Sequence, residues 1–455
     1  MNSILVNGHP KFTMKKIVIL GNGIAGITAA RHIRKNADHH ITVISGESDH
    51  FFSRTALMYI YMGHMKYEHT KPYEDWFWEK NKINLKRAWI DRIDFDQKVL
   101  HAGEERISYD ALILATGSQP NKFGWPGQDL QGVQSLYHLQ DLELMEQNTR
   151  NIRRAVIVGG GLIGVEMAEM LHSRNIPVTY LIREEHFWGN MLPKEEATLI
   201  DNHLREHGID LRSQTELKAI LDDGNGQVKG IETKDGETID CEFVGLTVGV
   251  HPNIALVKDS PVETDKGILV DDYLQTNIED IFAIGDCAQL RTPQSHRRAI
   301  EAVWYAGRMM GETVASTLAG KPTAYRPGIW FNSAKFFDIE YQNYGQVPAE
   351  CPEDCDDFYW QCIDGKKCLK IIYEKDSFKV RGVNLFGIRS RHEVWDNWLS
   401  QEKTLQEIIA DLPKANFDPE FFKQWEGEIQ KKYNEEFPNH PISIRKPGIL
   451  KRLFA

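Results

Sequence analysis

The sequence predicts an α/β protein built around two separate strand–turn–helix units, and three observations carry that prediction. Ile17 to Leu20 and Ala155 to Val158 are short β-branched runs that read as buried parallel strands. Each runs into a glycine turn of G-x-G-x-x-G spacing, Gly21-x-Gly23-x-x-Gly26 and Gly159-x-Gly161-x-x-Gly164, and then into a helix. From about residue 325 the pattern changes to aromatic-rich strands followed by amphipathic, charged helices. Together these give two Rossmann-like dinucleotide-binding domains plus a C-terminal α+β domain.

In such a turn the first glycine allows the tight bend and the second lets the backbone approach a pyrophosphate. The third lets the helix pack closely on its strand, so the N–H groups of the following residues (Ile24, Ala25, Leu162 and Ile163) point at phosphate. One such turn is a weak signal, because a strand and a helix can be joined by glycines for purely structural reasons. Two turns imply two dinucleotides.

After the first helix comes a second strand, Ile41 to Ser45, then Gly46 and Glu47. An acidic residue about 20 positions past the glycines bonds a ribose hydroxyl in many such units. Glu47 is the candidate, with a solvated loop glutamate as the plain alternative. The apolar stretch Phe51 to Gly63 holds one cation, Arg54, for which a phosphate is a plausible partner. Residues 71–110 read as short strands and turns. Asp110 to Ser118 is another buried strand, ending in Ala115, Thr116 and Gly117, where a backbone can lie against a ligand.

The second unit continues to the strand Val178 to Ile182. Residues 215–250 are rich in hairpin signals around Gly224-Asn225-Gly226 and Asp235-Gly236, and Gly249 and Pro252 close the stretch. Then Thr276 to Ile284 ends in Gly285 and Asp286, with a helical pattern expected through Gly311. A carboxylate at this strand end can accept hydrogen bonds from a polyol, or cap a helix. Further on, Phe358 to Trp360 and Cys368 to Tyr373 read as antiparallel strands, and Thr404 to Leu412 and Phe421 to Tyr433 as helices.

Composition sets bounds. At 455 residues the chain is long enough for two or three domains. The net charge of -11 argues against a nucleic-acid partner, and no apolar run approaches the ~18 residues of a membrane span. Six cysteines, none before Cys241, make no disulfide framework and fit a reducing, cytoplasmic setting. Cys351, Cys355, Cys362 and Cys368 lack the close paired spacing of a zinc or iron–sulfur site, so no metal is expected. Residues 1–13 read as a leader or upstream start. The basic, apolar tail from Ile444 to Ala455 reads as a solvated end, and membrane contact there is not expected.

With these pieces in order, residues 14–345 resemble the two-dinucleotide flavoproteins of the pyridine nucleotide–disulfide oxidoreductase superfamily. The resemblance rests on the two glycine turns, Ala115-Thr116-Gly117, Glu166 after the second turn, Val248-Gly249-x-x-Pro252-Asn253 and Phe282-Ala-x-Gly285-Asp286. It implies FAD at the first turn and at Asp286, and NADPH or NADH at the second. It further implies an FAD domain in two parts, 14–120 and 251–325, an NAD(P) domain at 121–250, and an interface domain at 326–455 that offers a homodimer contact. Neither place where relatives carry a cysteine pair, nor the Phe51 to Met65 stretch, contains a cysteine. The chain therefore looks like the cysteine-free rubredoxin/ferredoxin-reductase or nitrite-reductase flavin-subunit branch. One departure stands out: Tyr59 occupies the place of a lysine that in ferredoxin reductases pairs with the glutamate equivalent to Glu166.

The implied activity is hydride transfer from NAD(P)H to FAD, then electron delivery to a carrier protein or small acceptor. A peripheral quinone reductase and a non-enzymatic redox sensor are the alternatives. Glu166 is the candidate nearest the nicotinamide, while Trp304 and Trp330 are candidates to cover the flavin or the acceptor route. Ile182 stands where NADH enzymes of this type place a carboxylate, and Arg183 follows. That favours a 2′-phosphate slightly, although Glu184 and Glu185 come next and can serve a ribose themselves.

Overall fold

The computed structural model describes residues 14–294, 297–418, 420–421 and 423–443. The leader and the basic tail lie outside the described residues. The chain divides into two compact units: one reaches to Asn121 and takes in Ser135–Arg150 and Gly249–Pro327, and the other takes in Lys122–Gln134, Asn151–Val248 and the chain from Gly328 on.

The first unit is organised by a five-stranded parallel sheet in the order Ile281–Ala283, Ala111–Leu114, Lys16–Leu20, His40–Ser45, Ile83–Arg87. Its central strands are apolar without alternation because helices and loops cover both faces: Ile17, Ile19, Leu112, Ile113 and Leu114 are fully buried. Lys16–Leu20 has chain neighbours on opposite sides. The strand order therefore reverses beside it, and the crevice at its carboxyl end is where an open α/β sheet binds ligands. The helices Ile24–Asn36 and Trp304–Leu318 pack tightly, since a Cβ on Gly311 would stand 2.6 Å from the Ala25 carbonyl oxygen.

The helix expected to start straight after Asp286 does not. A single 3₁₀ turn, Gly285–Cys287, leads into the strand Ala288–Leu290, which pairs in parallel with Ile268–Val270. Pro293 follows, and the helix begins only at Trp304. Ser135–Arg150, with its helix Leu139–Asn148, belongs to this unit: Tyr61 and Thr149 hydroxyls meet at 2.6 Å. In the 71–110 region a short helix, Asp75–Lys80, precedes the strands.

The second unit repeats the plan with Asp210–Arg212, Val178–Leu181, Ala155–Val158, Phe243–Leu246 and Val133–Gln134, all parallel. The 217–240 hairpins form a separate antiparallel sheet. From Phe331 a five-stranded antiparallel sheet runs in the order Phe331–Phe336, Ile339–Gly345, Val380–Phe386, Cys368–Glu374, Cys355–Gln361. The helices His392–Ser400, Leu405–Asp411 and Glu426–Glu436 close its core around Trp360, Trp395, Trp398 and Trp425. Thr404 caps the second of these in a capping box with Glu407. The last helix starts at Glu426, five residues later than the pattern from Phe421 suggests.

All six cysteines are free thiols, and Cys351 alone is exposed. Cys355 pairs across the strands with Glu374, and Cys368 with Gln361, so these two thiols stand at opposite ends of one strand pair. Among the described residues no helix is long and apolar enough to cross a membrane.

Candidate dinucleotide sites

At the first turn Gly21 holds φ +115°, and a Cβ there would fall 2.0 Å from the Ala115 carbonyl oxygen. The turn is thus locked against the end of the neighbouring strand. Gly23 is the N-cap of the helix that carries Ile24, Ala25 and Gly26. No side chain caps that helix, its first turn holds no acid, and a Cβ on Gly23 would meet nothing within 4 Å. Uncapped N–H groups facing open space are what a pyrophosphate requires.

The same unit holds Glu47, Arg54, Thr116, Gly117, Gly249, Gly285 and Asp286. The Ser118 and Tyr137 hydroxyls donate to Asp286 Oδ2, at 3.1 and 3.3 Å. Burial pushes the Asp286 carboxyl above its ordinary range, and these two donors oppose that shift. Asp286 lies inside the short 3₁₀ turn Gly285–Cys287, whose N-cap is Ile284. Thr116 and Gly117 are clasped by Asn253: Thr116 Oγ1 donates to the Asn253 carbonyl at 2.7 Å, and the Asn253 N–H returns to Gly117 at 2.8 Å. Gly249, at φ +88°, accepts from the Asn121 N–H at 3.0 Å. Trp304 sits half-exposed at the uncapped start of its helix, its ring edge-on to Tyr305.

Arg54 needs correction. Its anionic partner is Glu47, gripped from two guanidinium nitrogens at 2.9 and 2.6 Å. A third contact runs to the Tyr137 carbonyl. Glu47 also accepts the Leu139 N–H at 3.0 Å. Burial works against the Glu47 carboxylate, but His138, Arg54 and the Leu139 N–H outweigh it and hold its pKa down to about 2. The two cofactor candidates thus form a bidentate pair that ties the loop after the second strand to helix Leu139–Asn148. Tyr137, His138 and Ser118 were missed by sequence reasoning, because nothing local marks residues that arrive from other segments.

In the second unit Gly161 caps the helix Leu162–Ser173 in the same open way: no side-chain cap, no acid in the first turn, no atom within 4 Å of a Cβ. Gly164 is required by close approach, since a Cβ would stand 2.1 Å from the Tyr180 hydroxyl. That hydroxyl donates to the Gly159 carbonyl at 2.9 Å. Leu162 and Ile163 supply the first-turn N–H groups.

Arg183 pairs with its chain neighbour Glu184. Its side chain is 75% exposed and its Nε donates to Glu184 at 2.9 Å. Glu184 is the group beside the glycines: its Oε2 lies 3.6 Å from where a Cβ on Gly160 would stand. Glu166, on the helix after the turn, is half-buried. Burial first, and the Glu169 charge second, push its carboxyl up to about 7. Lys335 pairs with Glu169 at 2.7 Å.

Two uncapped glycine turns at the carboxyl ends of parallel strands are the arrangement of a protein that binds two dinucleotides. The chain belongs to the pyridine nucleotide-disulphide oxidoreductase family, whose pattern matches residues 15–307. Its cofactors are those of the family, FAD and NADH or NADPH. It is 31% identical over 282 residues to nitrite reductase [NAD(P)H] of Bacillus subtilis (strain 168), a match covering 61% of this chain and 35% of that protein. It therefore spans only about a third of the length of that relative. Rubredoxin-NAD(+) reductase of Acinetobacter baylyi is 32% identical over 289 residues, covering 61% of this chain and 73% of that one. Among solved structures, a NAD-dependent persulfide reductase from A. fulgidus shares the fold with a TM-score of 0.81 at 24% identity, over 93% of this chain and 84% of that one.

Proposed function

We propose that the protein is an NADH-dependent flavoprotein that hands electrons to a carrier protein, with no thiol taking part at the flavin. The observation that carries this reading is the placing of the cysteines. None precedes Cys241, and the first unit holds only Cys287. That thiol is fully buried, with Leu114 and Ile284 carbonyls within 3.4 and 3.3 Å as acceptors, and burial pushes its pKa up. It is poorly suited to act as a nucleophile. The rubredoxin reductase named above supports a carrier as acceptor, and six free thiols support a reducing, cytoplasmic compartment.

Bound FAD supplies the hydride-accepting and electron-releasing chemistry that no side chain here possesses. The residues of the chain do the rest. N–H groups after Gly23 and Gly161 hold the two pyrophosphates, and Asp286 accepts from the polyol of the flavin cofactor. Glu184 accepts from the ribose hydroxyls of NADH, in place of the arginine–phosphate contact first expected at Arg183. Anaerobic titration followed at the flavin band tests this: NADH should reduce the protein at least about tenfold more effectively than NADPH. Equal use of both nucleotides would remove the role of Glu184, and full reduction with no transfer to any rubredoxin- or ferredoxin-type protein would remove the carrier.

Glu166 holds a proton about half the time near neutral pH, because its carboxyl titrates at about 7. We assign it the nicotinamide amide as partner, and the bond to its charged form is worth about 1.5–3 kcal/mol. NADH use by the wild type should then show an inflection near pH 7. Glu166→Gln should flatten that inflection and raise KM for NADH by roughly 10- to 100-fold. A variant that keeps the inflection would show that another group titrates there.

A further inference from the structure

A second chemistry is built into the second unit, on the helix that follows strand Val178–Leu181. Helix Lys194–Glu206 carries His203, and its C-cap is His207, so the two rings stand one turn apart on one side, with centroids 4.4 Å from each other. Opposite them is Asp338, in the two-residue turn between Phe331–Phe336 and Ile339–Gly345. Asp338 Oδ1 lies 2.7 Å from His203 Nε2 and 3.5 Å from His207 Nε2, and one ligand atom from each of the three residues fits within 4.8 Å of the others.

We propose that His203, His207 and Asp338 form a site for a divalent first-row transition ion such as Zn²⁺, tying the helix of the nucleotide-binding sheet to the hairpin of the C-terminal sheet.

Two further features point to an ion. His203 is 3% exposed; its Nδ1 has no hydrogen-bond partner, and its Nε2 meets Asp338 Oδ1 at 2.7 Å in poor hydrogen-bond alignment. The nearby carboxylate is therefore within reach but off the line an N–H would take. Atoms bound to one metal at about 2.1 Å sit roughly 3.0–3.5 Å apart without pointing at each other, a spacing the His207–Asp338 pair already has at 3.5 Å and the His203–Asp338 pair, at 2.7 Å, reaches by opening a few tenths of an ångström. The second feature is tautomer control. His207 Nδ1 is 2.9 Å from the His203 carbonyl oxygen, which can only accept. Nδ1 therefore carries the proton and Nε2 presents its lone pair to the cluster, the arrangement that orients metal-binding imidazoles.

The Phe337 ring walls the cluster, 4.6 Å from His207, while Asp338 remains open to solvent. His203 also lines a cleft of ≈ 430 Å³ with Asn202, Glu206, Gln361 and Asp364. Helical i, i+4 histidines with a carboxylate from elsewhere in the chain leave coordination positions for water. Nothing in the local sequence marks the set, since Asp338 lies well over a hundred residues beyond the histidines.

The test is equilibrium dialysis of the flavin-loaded, full-length protein against Zn²⁺, with metal read by mass spectrometry and stability by thermal melts. One Zn²⁺ per chain is expected, with a thermal midpoint several degrees higher. Asp338→Ala and His207→Gln should each bind about 100-fold more weakly or worse, while flavin content and reduction by NADH stay unchanged. His207→Gln guards against a turn defect in the first variant. Wild-type protein that takes up no Zn²⁺ would overturn the site. So would uptake that survives both substitutions but is lost in Cys351→Ser, which would place the ion on thiolate.

Discussion

Gly23→Ala is expected to fold like the wild type and to purify colourless, whereas Gly21→Ala should fail in folding itself. The two glycines lie two residues apart in one turn, yet the space around them differs. A Cβ on Gly23 meets nothing within 4 Å and costs the empty protein almost nothing. Its methyl group instead occupies the volume between the helix N–H groups and the pyrophosphate, and a displacement of about 1 Å removes charge-assisted bonds worth about 1.5–3 kcal/mol each. Two such bonds lost correspond to at least about a hundredfold in FAD affinity. At Gly21 the problem is internal. Its φ of +115° is one that L residues rarely adopt, and the Cβ would sit 2.0 Å from the Ala115 carbonyl oxygen, which is backbone and cannot rotate away. Strain of about 1–3 kcal/mol plus overpacking of about 1–3 kcal/mol consumes much of the ~5–15 kcal/mol that holds an ordinary domain folded. Flavin absorbance per chain and the melting curve of the flavin-free protein separate the two outcomes. A yellow Gly23→Ala protein with undiminished affinity would show that the first turn is not the pyrophosphate cradle.

The second large effect comes from Glu196, on the helix that also carries the histidine pair. Its side chain is fully buried, and Oε2 accepts from Asn384 Nδ2 at 2.7 Å while Oε1 has no hydrogen-bond partner. Burial dominates and pushes its carboxyl up to about 8, against the smaller pull of Asn384 and Lys370. In the unfolded chain the same group titrates near the ordinary glutamate value of 4.5. Between those two pH values the folded protein keeps a proton that the unfolded chain releases. The stabilisation is complete below about 4.5 and is lost steadily as pH rises towards 8, for a total on the order of 5 kcal/mol. Urea midpoints measured at pH 5, 7 and 9 should therefore fall with pH in the wild type. Glu196→Gln, neutral throughout and still able to accept from Asn384, should remove most of that fall and be the more stable protein at pH 9. Parallel curves for the two proteins would mean that Glu196 is ionised in the fold.

What the sequence made legible was local. Both glycine turns, their strands and helices follow from local periodicities, as do the antiparallel strands read at Phe358 to Trp360 and Cys368 to Tyr373, which the fold extends to Cys355–Gln361 and Cys368–Glu374. The partners of the site residues were not legible, because they come from segments distant in sequence. Arg54 was read correctly as needing an anion, but Glu47 supplies it. Arg183, two residues past strand Val178–Leu181, was favoured slightly for a 2′-phosphate with Glu184 and Glu185 left open for a ribose, and its pairing with Glu184 was not legible. The strand at Ala288–Leu290 replaced an expected helix because pairing with Ile268–Val270 overrode a weak local preference. His203 and His207 passed unnoticed because their third member arrives from a hairpin of the other sheet.

The lone exposed thiol, Cys351, has a practical use. Five of six sulfurs are shielded, so a maleimide dye should attach at one point just ahead of strand Cys355–Gln361 without any mutagenesis. Its thiol is less acidic than usual, through burial first and then the negative charges of Asp357 and Asp356, so the coupling calls for mildly alkaline buffer. Emission from that single fluorophore would report directly whether a docking protein settles near the C-terminal sheet.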